Sequence, residues 1–404
     1  MYLSPPILAD WRSRFTDAVV LVAGTNGKTT TAHFIRSSMR ALGYHVVGND
    51  TGANLVGGVV ASVLDDLKSP EGSPGYAVFE CDERALREVV SATHPTIVLV
   101  LNILRDQLDR YGDLRHVMDT VSSALDVAPA TATIIANADD PNVVWICSKS
   151  GRNVSWISLD HRAPISPDRS LCPRCSSELS WTRTNWFCGN CAFRRPAPDY
   201  EGGDLSFVSF SSLSVRIDGV ALSLPHWGRC NTYNAIAAWA ALCSLGLDRT
   251  RIAPALSSVG GVSGRNERIP VGAGSLTIQL VKNPASFNEF AEHLKAQAAK
   301  PPMLIVAVNN AAADGRDTSW IWDADFEGLA EVPMVIASGA RAAIVANRLK
   351  YAGLRCQGAP MPAAASLAFA LEQASRGANV VYLCTYSAML NVRADLKKRR
   401  IIDG

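Results

Sequence analysis

The chain has no apolar stretch approaching the 18 or so residues that a membrane-spanning helix needs, which argues against an integral helical membrane protein. Charge of one sign is also scarce. Against 39 lysines and arginines stand 37 aspartates and glutamates, and a formal net charge of +2 gives no overall field for capturing nucleic acid or a membrane surface. The opening residues, Met1 to Asp10, lack a basic region and are broken by Pro5 and Pro6, so no secretory signal is expected. Internal repeats and low-complexity tracts are absent from the sequence. Of ten cysteines, Cys81, Cys147, Cys230, Cys243, Cys356 and Cys384 lie scattered in mostly apolar surroundings. Scattered cysteines of this kind are small, reduced core residues, which predicts a cytosolic setting rather than a disulfide framework. At 404 residues, two or three domains are expected.

What the chain does have begins at Ala18. An apolar, β-branched run ends in Gly24-Thr25-Asn26-Gly27-Lys28-Thr29-Thr30-Thr31, after which Ala32, Ile35, Met39 and Leu42 recur at helical spacing up to Gly43. Strand, glycine loop and helix make a phosphate cradle, because loop N–H groups and the positive helix end converge where an anion can sit. Thr25, Asn26, Gly27, Lys28, Thr29 and Thr30 are the expected nucleotide-binding residues. Within them, Lys28 offers a cation to the terminal phosphates and Thr29 a hydroxyl to Mg²⁺, so ATP is the expected ligand.

From Ala18 to about Ile157 strands and helices alternate, with strands expected at Tyr76–Glu80, Thr96–Asn102, Ala132–Ala136 and Val154–Ile157. Such alternation predicts a parallel sheet covered on both faces. Asp218-Gly219 between two alternating runs predicts a hairpin with a type I′ turn, and Asn231–Leu245 reads as an alanine-rich helix. A second alternation comes after it, with strands at Leu276–Val281, Met303–Val308, Met334–Ile336 and Val380–Leu383. The domain boundary is expected near Gly264–Val271, dividing residues 1–266 from 267–404.

Between Pro164 and Pro198 the alternation breaks for Cys172-Pro-Arg-Cys175 and Cys188-Gly-Asn-Cys191. Two Cys-x-x-Cys knuckles at this separation can wrap four thiolates around Zn²⁺, and Trp181, Trp186 and Phe187 suit the strands of a small ribbon. Four cysteine ligands leave no open position for water, so the zinc is expected to be structural. Arg174, Arg194 and Arg195 are basic, yet no wider basic stripe supports a nucleic-acid-reading ribbon.

The short phosphate loop resembles that of the Mur ligases and their folylpolyglutamate synthase relatives. Val22 stands where the general P-loop has a further glycine. Glu80, in Glu80-Cys-Asp82-Glu83, matches the position of the family's Mg²⁺-binding glutamate. Asn102-Ile-Leu-Arg-Asp106-Gln107-Leu-Asp109-Arg-Tyr-Gly112 is similar to the family's Asn-Ile…Asp-His-Leu-Asp segment, with Gln107 replacing the histidine. Asn137-Ala-Asp-Asp140-Pro resembles a family turn. By the same resemblance, Asn234 of Asn231-Thr-Tyr-Asn234 reaches adenine, Asn231 capping that helix in the plainer reading, and Arg265 contacts nucleotide from the hinge. The loop begins at residue 24, which leaves no room before it for the uridine-nucleotide domain of the amino-acid-adding ligases.

Val281-Lys282-Asn283-Pro284-Ala285 resembles the turn that opens the Mur C-terminal domain. Beyond it, Asp314-Gly-Arg-Asp317-Thr-Ser-Trp320 comes after a strand, where open α/β sheets place ligands. Together with the four cysteines and Tyr386-Ser-Ala-Met389, these features resemble the MurT family over essentially the whole chain. That resemblance implies a Mur-type P-loop ATPase domain with a zinc-ribbon insertion at about 165–200, then a Rossmann-like α/β C-terminal domain for substrate and partner. It implies ATP-dependent amidation, through an acyl phosphate, of the D-glutamate α-carboxylate in the lipid II stem peptide. Ammonia would come from a separate GatD-type glutaminase, and no glutaminase nucleophile signature occurs here. It further implies action at the inner face of the plasma membrane, with lipid II as substrate. Asp317, with Asp314 second, is the expected aspartate completing the partner's Cys–His pair. Two alternatives stand beside this: a folylpolyglutamate-synthase-like or Mur-type amino-acid ligase, and a zinc-ribbon nucleotide switch on nucleic acid.

Overall fold

The computed structural model describes residues 5–13, 17–50, 52–66, 75–104, 113–160, 170–182, 184–209, 212–262, 264–297, 299–354 and 359–402. The Arg105–Gly112 part of the Asn102–Gly112 segment, with Gln107, lies outside these residues, as does Cys356. Apart from Ser209, which groups with the second, the described residues divide at Gly260/Gly261 into two compact units.

In the first unit, strands β1 (Val19–Ala23), β2 (Val46–Val47), β3 (Tyr76–Glu80), β4 (Ile97–Val100), β5 (Thr133–Asn137) and β6 (Val154–Leu159) precede a small ribbon of β7 (Leu179–Trp181) and β8 (Trp186–Cys188). Strands β9 (Tyr200–Ser209), β10 (Ser212–Ile217) and β11 (Val220–Leu224) complete the main sheet, in the order β11-β10-β9-β6-β5-β4-β1-β3-β2. From β2 to β6 the pairing is parallel throughout. β1 and β4 are buried along their whole length, as expected of central strands covered on both faces.

Side chains alternate between the two faces. On one, Val20, Val22, Val78 and Leu99 share a core with Phe34 and Ile35 of helix Lys28–Ala41 and Ile236 and Trp239 of helix Arg229–Ser244. On the other, Phe79 meets Trp11 at a ring separation of 5.7 Å. Trp11 belongs to a helix, Pro5–Arg12, that the two prolines at its start conceal in the sequence. Proline at the first helical position loses no hydrogen bond. The predicted hairpin is present: β10 and β11 pair antiparallel across Asp218 and Gly219, whose φ angles of 47° and 83° fit a type I′ turn.

The second unit is a Rossmann-like sheet of β12 (Arg265–Val271), β13 (Gly274–Leu280), β14 (Met303–Ala307), β15 (Val335–Ser338) and β16 (Asn379–Cys384). Their order is β12-β13-β16-β14-β15, parallel except for the antiparallel edge strand β12. The 264–271 stretch, expected as a junction, is thus largely strand. Pro270 is tolerated because an edge strand leaves some N–H positions unpaired. Leu276, Ile305, Val380 and Tyr382 pack against Leu367 and Ala374 of helix Ala363–Ser375 and against Met389 and Val392 of helix Tyr386–Lys398. Among the described residues, no helix is long and apolar enough to cross a membrane.

Candidate functional site

Parallel pairing puts the C-terminal ends of β1, β3 and β4 along one edge, with Val22 level with both Glu80 and Leu99. The glycine loop therefore emerges beside Glu80 and beside the turn after β4. Asn102 fastens the loop: its Oδ1 accepts from Asn26 N and its Nδ2 donates to Asn26 O, both at 2.9 Å. Thr25 adds a second tie, its Oγ1 accepting from Leu104 N at 2.9 Å while its N–H donates to Asn102 O. Two glycines are obligatory here. Gly24 and Gly27 have φ of 132° and 89°, and a Cβ on Gly27 would stand 2.2 Å from Asn234 Oδ1.

Gly27 caps helix Lys28–Ala41 without a side-chain bond, so the first N–H groups of the helix face the loop mouth. Lys28 is buried, donating from Nζ to Gly24 O at 2.6 Å and lying 2.9 Å from Glu83 Oε1. Burial by itself would lower the lysine's pKa, but the Glu83 carboxylate, helped by Asp82 and Glu80, holds it above its ordinary value. Thr29 Oγ1 is hydrogen-bonded to Glu80 Oε2. Glu80 Oε1 is buried and has no hydrogen-bond partner. An orphaned carboxylate oxygen beside a threonine hydroxyl, at a helix N-terminus, suits a hard divalent cation.

What holds Glu80 is not visible in the sequence. Asn49 grips its backbone from both sides, donating to Glu80 O at 2.8 Å and accepting from Glu80 N at 3.0 Å. Nothing in Gly48-Asn49-Asp50 signals this, because the bonds span 31 positions. Asn234 lies buried behind the loop, where its Oδ1 accepts from Thr31 Oγ1 at 3.2 Å and its Nδ2 donates to Asn231 Oδ1 at 3.3 Å. Asn231 is no helix cap, since it sits inside helix Arg229–Ser244 and donates to Trp227 O. Arg265 opens β12 in the second unit.

In the ribbon, the four sulfurs of Cys172, Cys175, Cys188 and Cys191 lie within 4.8 Å of one another. Sγ of Cys172 is 3.6 Å from that of Cys191, and Sγ of Cys175 is 3.5 Å from that of Cys188. Those separations are far beyond a disulfide bond and near the ~3.8 Å edge of a tetrahedron with metal–sulfur bonds of about 2.3 Å. Hydrogen bonds from Ser177 draw the Cys175 thiol down to about 5, while burial pushes that of Cys172 up to about 12, so only part of the cluster favours by itself the thiolate that a metal needs. The ribbon is anchored to the first unit by Trp186 Nε1 donating to Ala138 O at 2.9 Å and by Arg195 Nε on Asp139 Oδ1 at 2.7 Å.

In the second unit the two candidate aspartates differ sharply. Asp314 is buried: Oδ1 accepts from Ser387 N at 2.7 Å, and Oδ2 from Ala311 N and Ser387 Oγ. It ties its loop to the start of helix Tyr386–Lys398. Asp317 is exposed and closes only its own turn, accepting from Ser319 N and Oγ, each at 2.8 Å. Asn283, in the turn before helix Pro284–Ala296, forms a reciprocal capping box with Ser286.

Parallel sheet, short glycine loop and facing glutamate are the features of a Mur-type ligase, and the model of the Mur ligase middle domain matches residues 22–242. The MurT ligase C-terminal model matches residues 280–389, and the chain belongs to the MurT family. It is 30% identical over 398 residues to the MurT subunit of lipid II isoglutaminyl synthase (glutamine-hydrolyzing) from Streptococcus pneumoniae, covering 95% of this chain and 88% of that one. Among solved structures, a pseudomurein peptide ligase type C from Methanothermus fervidus superposes with a TM-score of 0.69 at 20% identity. It covers 95% of this chain and 79% of its own. MurF ligase from Thermotoga maritima in complex with ADP gives 0.67 at 16% identity, over 99% and 86% of the two chains. At such identities the structural matches speak for the fold alone.

Proposed function

We propose that this chain is the ATP-dependent amide-forming subunit of a lipid II isoglutaminyl synthase. In this reading it converts the D-glutamate α-carboxylate of the stem peptide to D-isoglutamine during peptidoglycan synthesis. The observation that carries the reading is similarity to a MurT subunit along 95% of the chain, including the C-terminal region that holds the Asp314–Trp320 loop. ATP is supported by the loop geometry, with Lys28 buried at its mouth and backbone N–H groups at the start of helix Lys28–Ala41 facing the same point.

A carboxylate resists ammonia because its leaving group would be oxide. Phosphorylation turns that oxide into phosphate, leaving an acyl phosphate that neutral ammonia can attack. Lys28 takes up charge on the transferring phosphoryl group. Thr29 Oγ1 and the unpartnered Oε1 of Glu80 would hold Mg²⁺, which when bound neutralises charge on the phosphate oxygens. Thr25, Asn26, Gly27 and Thr30 shape the loop, Asn234 reads adenine, and the family resemblance assigns Arg265 to nucleotide. The four cysteines would hold Zn²⁺ and fold the ribbon, with no part in the reaction.

Ammonia comes, in this reading, from a GatD-type glutaminase subunit. Asp317 suits the role of completing that partner's Cys–His pair because its carboxylate is exposed, whereas Asp314 is committed to Ser387. The lipid-linked substrate would bring the protein to the inner face of the plasma membrane. The test is amidation of lipid II by this chain with a GatD-type subunit, ATP, Mg²⁺ and glutamine, read by mass spectrometry of the stem peptide. Conversion of one carboxylate to an amide, dependent on both ATP and glutamine, is the expected result.

A further inference from the structure

We propose that Glu83 is the counter-ion that holds the loop lysine until nucleotide phosphates take it, and that this pair sets the nucleotide affinity of the site. The inference rests on the reading of the loop as an ATP site and concerns a carboxylate that this reading leaves without a role. Glu83 is 4% exposed and Lys28 is 9% exposed, and their charged ends are 2.9 Å apart.

Glu83 is the first residue of helix Glu83–Thr93, which is capped by Asp82 through Arg84 N and buried along Ala85, Leu86, Val89 and Val90. A carboxylate at that position is favoured by the positive end of the helix and held on a rigid element. An ammonium has three donors. Gly24 O and Glu83 engage Lys28 from the protein side, 55 residues apart in the case of Glu83. Without Glu83, the buried lysine would keep only the Gly24 carbonyl as a close partner, with Asp82 and Glu80 acting on its charge from farther away, a costlier arrangement. Glu83 therefore holds the lysine in place and the loop formed while no phosphate is bound.

The same contact opposes nucleotide. Phosphates that recruit Lys28 must draw it from Glu83, and they arrive next to a buried negative charge. Ligands carrying several phosphate charges overcome this competition better than those carrying one, so Glu83 also favours nucleoside di- and triphosphates over monophosphates.

Calorimetric titration of the full chain with Mg–ADP tests the assignment. Glu83→Gln is expected to bind about tenfold more tightly than wild type, equivalent to about 1.4 kcal/mol. Glu83→Asp, which keeps the charge on a shorter arm, should fall between the two. Damage to the fold would weaken binding rather than strengthen it, so the direction separates the two effects, and the aspartate variant carries the test if the glutamine variant is unstable. In a Lys28→Met background, titrated at millimolar nucleotide, Glu83→Gln should bring no gain, because the two residues act as a pair. Unchanged or weaker binding by both Glu83 variants overturns the proposal. A gain that persists in the Lys28→Met background also overturns it, by assigning the effect to local charge alone. A wild-type chain that binds no Mg–ADP removes the nucleotide reading itself, and the counter-ion role with it.

Discussion

The phosphate loop of the first unit and the acid loop of the second make opposite use of carboxylates. Around the phosphate loop, Glu80 and Glu83 are buried and aimed at a threonine hydroxyl and a lysine, the arrangement on which the proposed phosphate and metal site rests. In the acid loop, Asp314 is buried to hold the loop to the start of helix Tyr386–Lys398, and this leaves Asp317 exposed three residues later. On the proposed assignments, burial marks working groups in the first region and scaffolding in the second. Exposure alone therefore does not identify a functional carboxylate; what the buried oxygens already bond to is the better guide.

The comparison breaks if Asp317 is merely closing its turn. Asp317→Asn is expected to reduce glutamine hydrolysis by the partner by about 10⁴-fold, as loss of a histidine-orienting carboxylate does elsewhere. ATP binding and ammonium-driven amidation should persist, because the variant keeps the size of the side chain. Failure with both glutamine and ammonium, in a folded complex, would move Asp317 to the synthetase chemistry or to structure.

Lys28→Ala is the converse. Amidation should fall by about 10²–10³-fold with either nitrogen source, while assembly with the glutaminase survives. Normal amidation would remove the phosphate role from the loop.

Asp314→Ala sharpens the contrast from the scaffold side. It leaves the half-buried Ser387 and the exposed Ala311 without the carboxylate their N–H groups donate to, and should cost about 2 kcal/mol in urea or thermal unfolding. A variant as stable as wild type would put Asp314 back among the functional candidates.

Cys175→Ser should have the smallest effect on chemistry. Zinc content should drop, and Tm should fall by roughly 5 °C, while the folded fraction keeps its ATP affinity. Reduced wild-type protein that contains no zinc by metal analysis would contradict the assignment.

Fold and site are legible in the sequence wherever the deciding interactions are local. Strand Tyr76–Glu80 is readable to the residue, and the Asp218-Gly219 hairpin and the cysteine knuckles depend on spacings of a few positions. β12 is hidden because Arg265-Asn-Glu-Arg268 is polar and Pro270 separates Ile269 from Val271, which an edge strand permits. The fastening of the site is hidden for another reason. Asn49 to Glu80 and Asn102 to Asn26 join residues 31 and 76 positions apart, and short polar residues of this kind carry no periodic signal. Likewise, Asp314 and Asp317 are equivalent as letters, and only the fold separates them.

The central claim is that this chain activates a carboxylate for ammonia rather than for an amino acid, and it can be tested without the partner. Purified protein is incubated with lipid II, ATP and Mg²⁺, with ammonium at a pH where part of it is neutral or, separately, with a panel of amino acids. The account predicts ADP release and a single carboxylate-to-amide conversion with ammonium alone. ADP release driven by an amino acid, with a product heavier by that residue, would contradict it and make the chain an amino-acid-adding ligase.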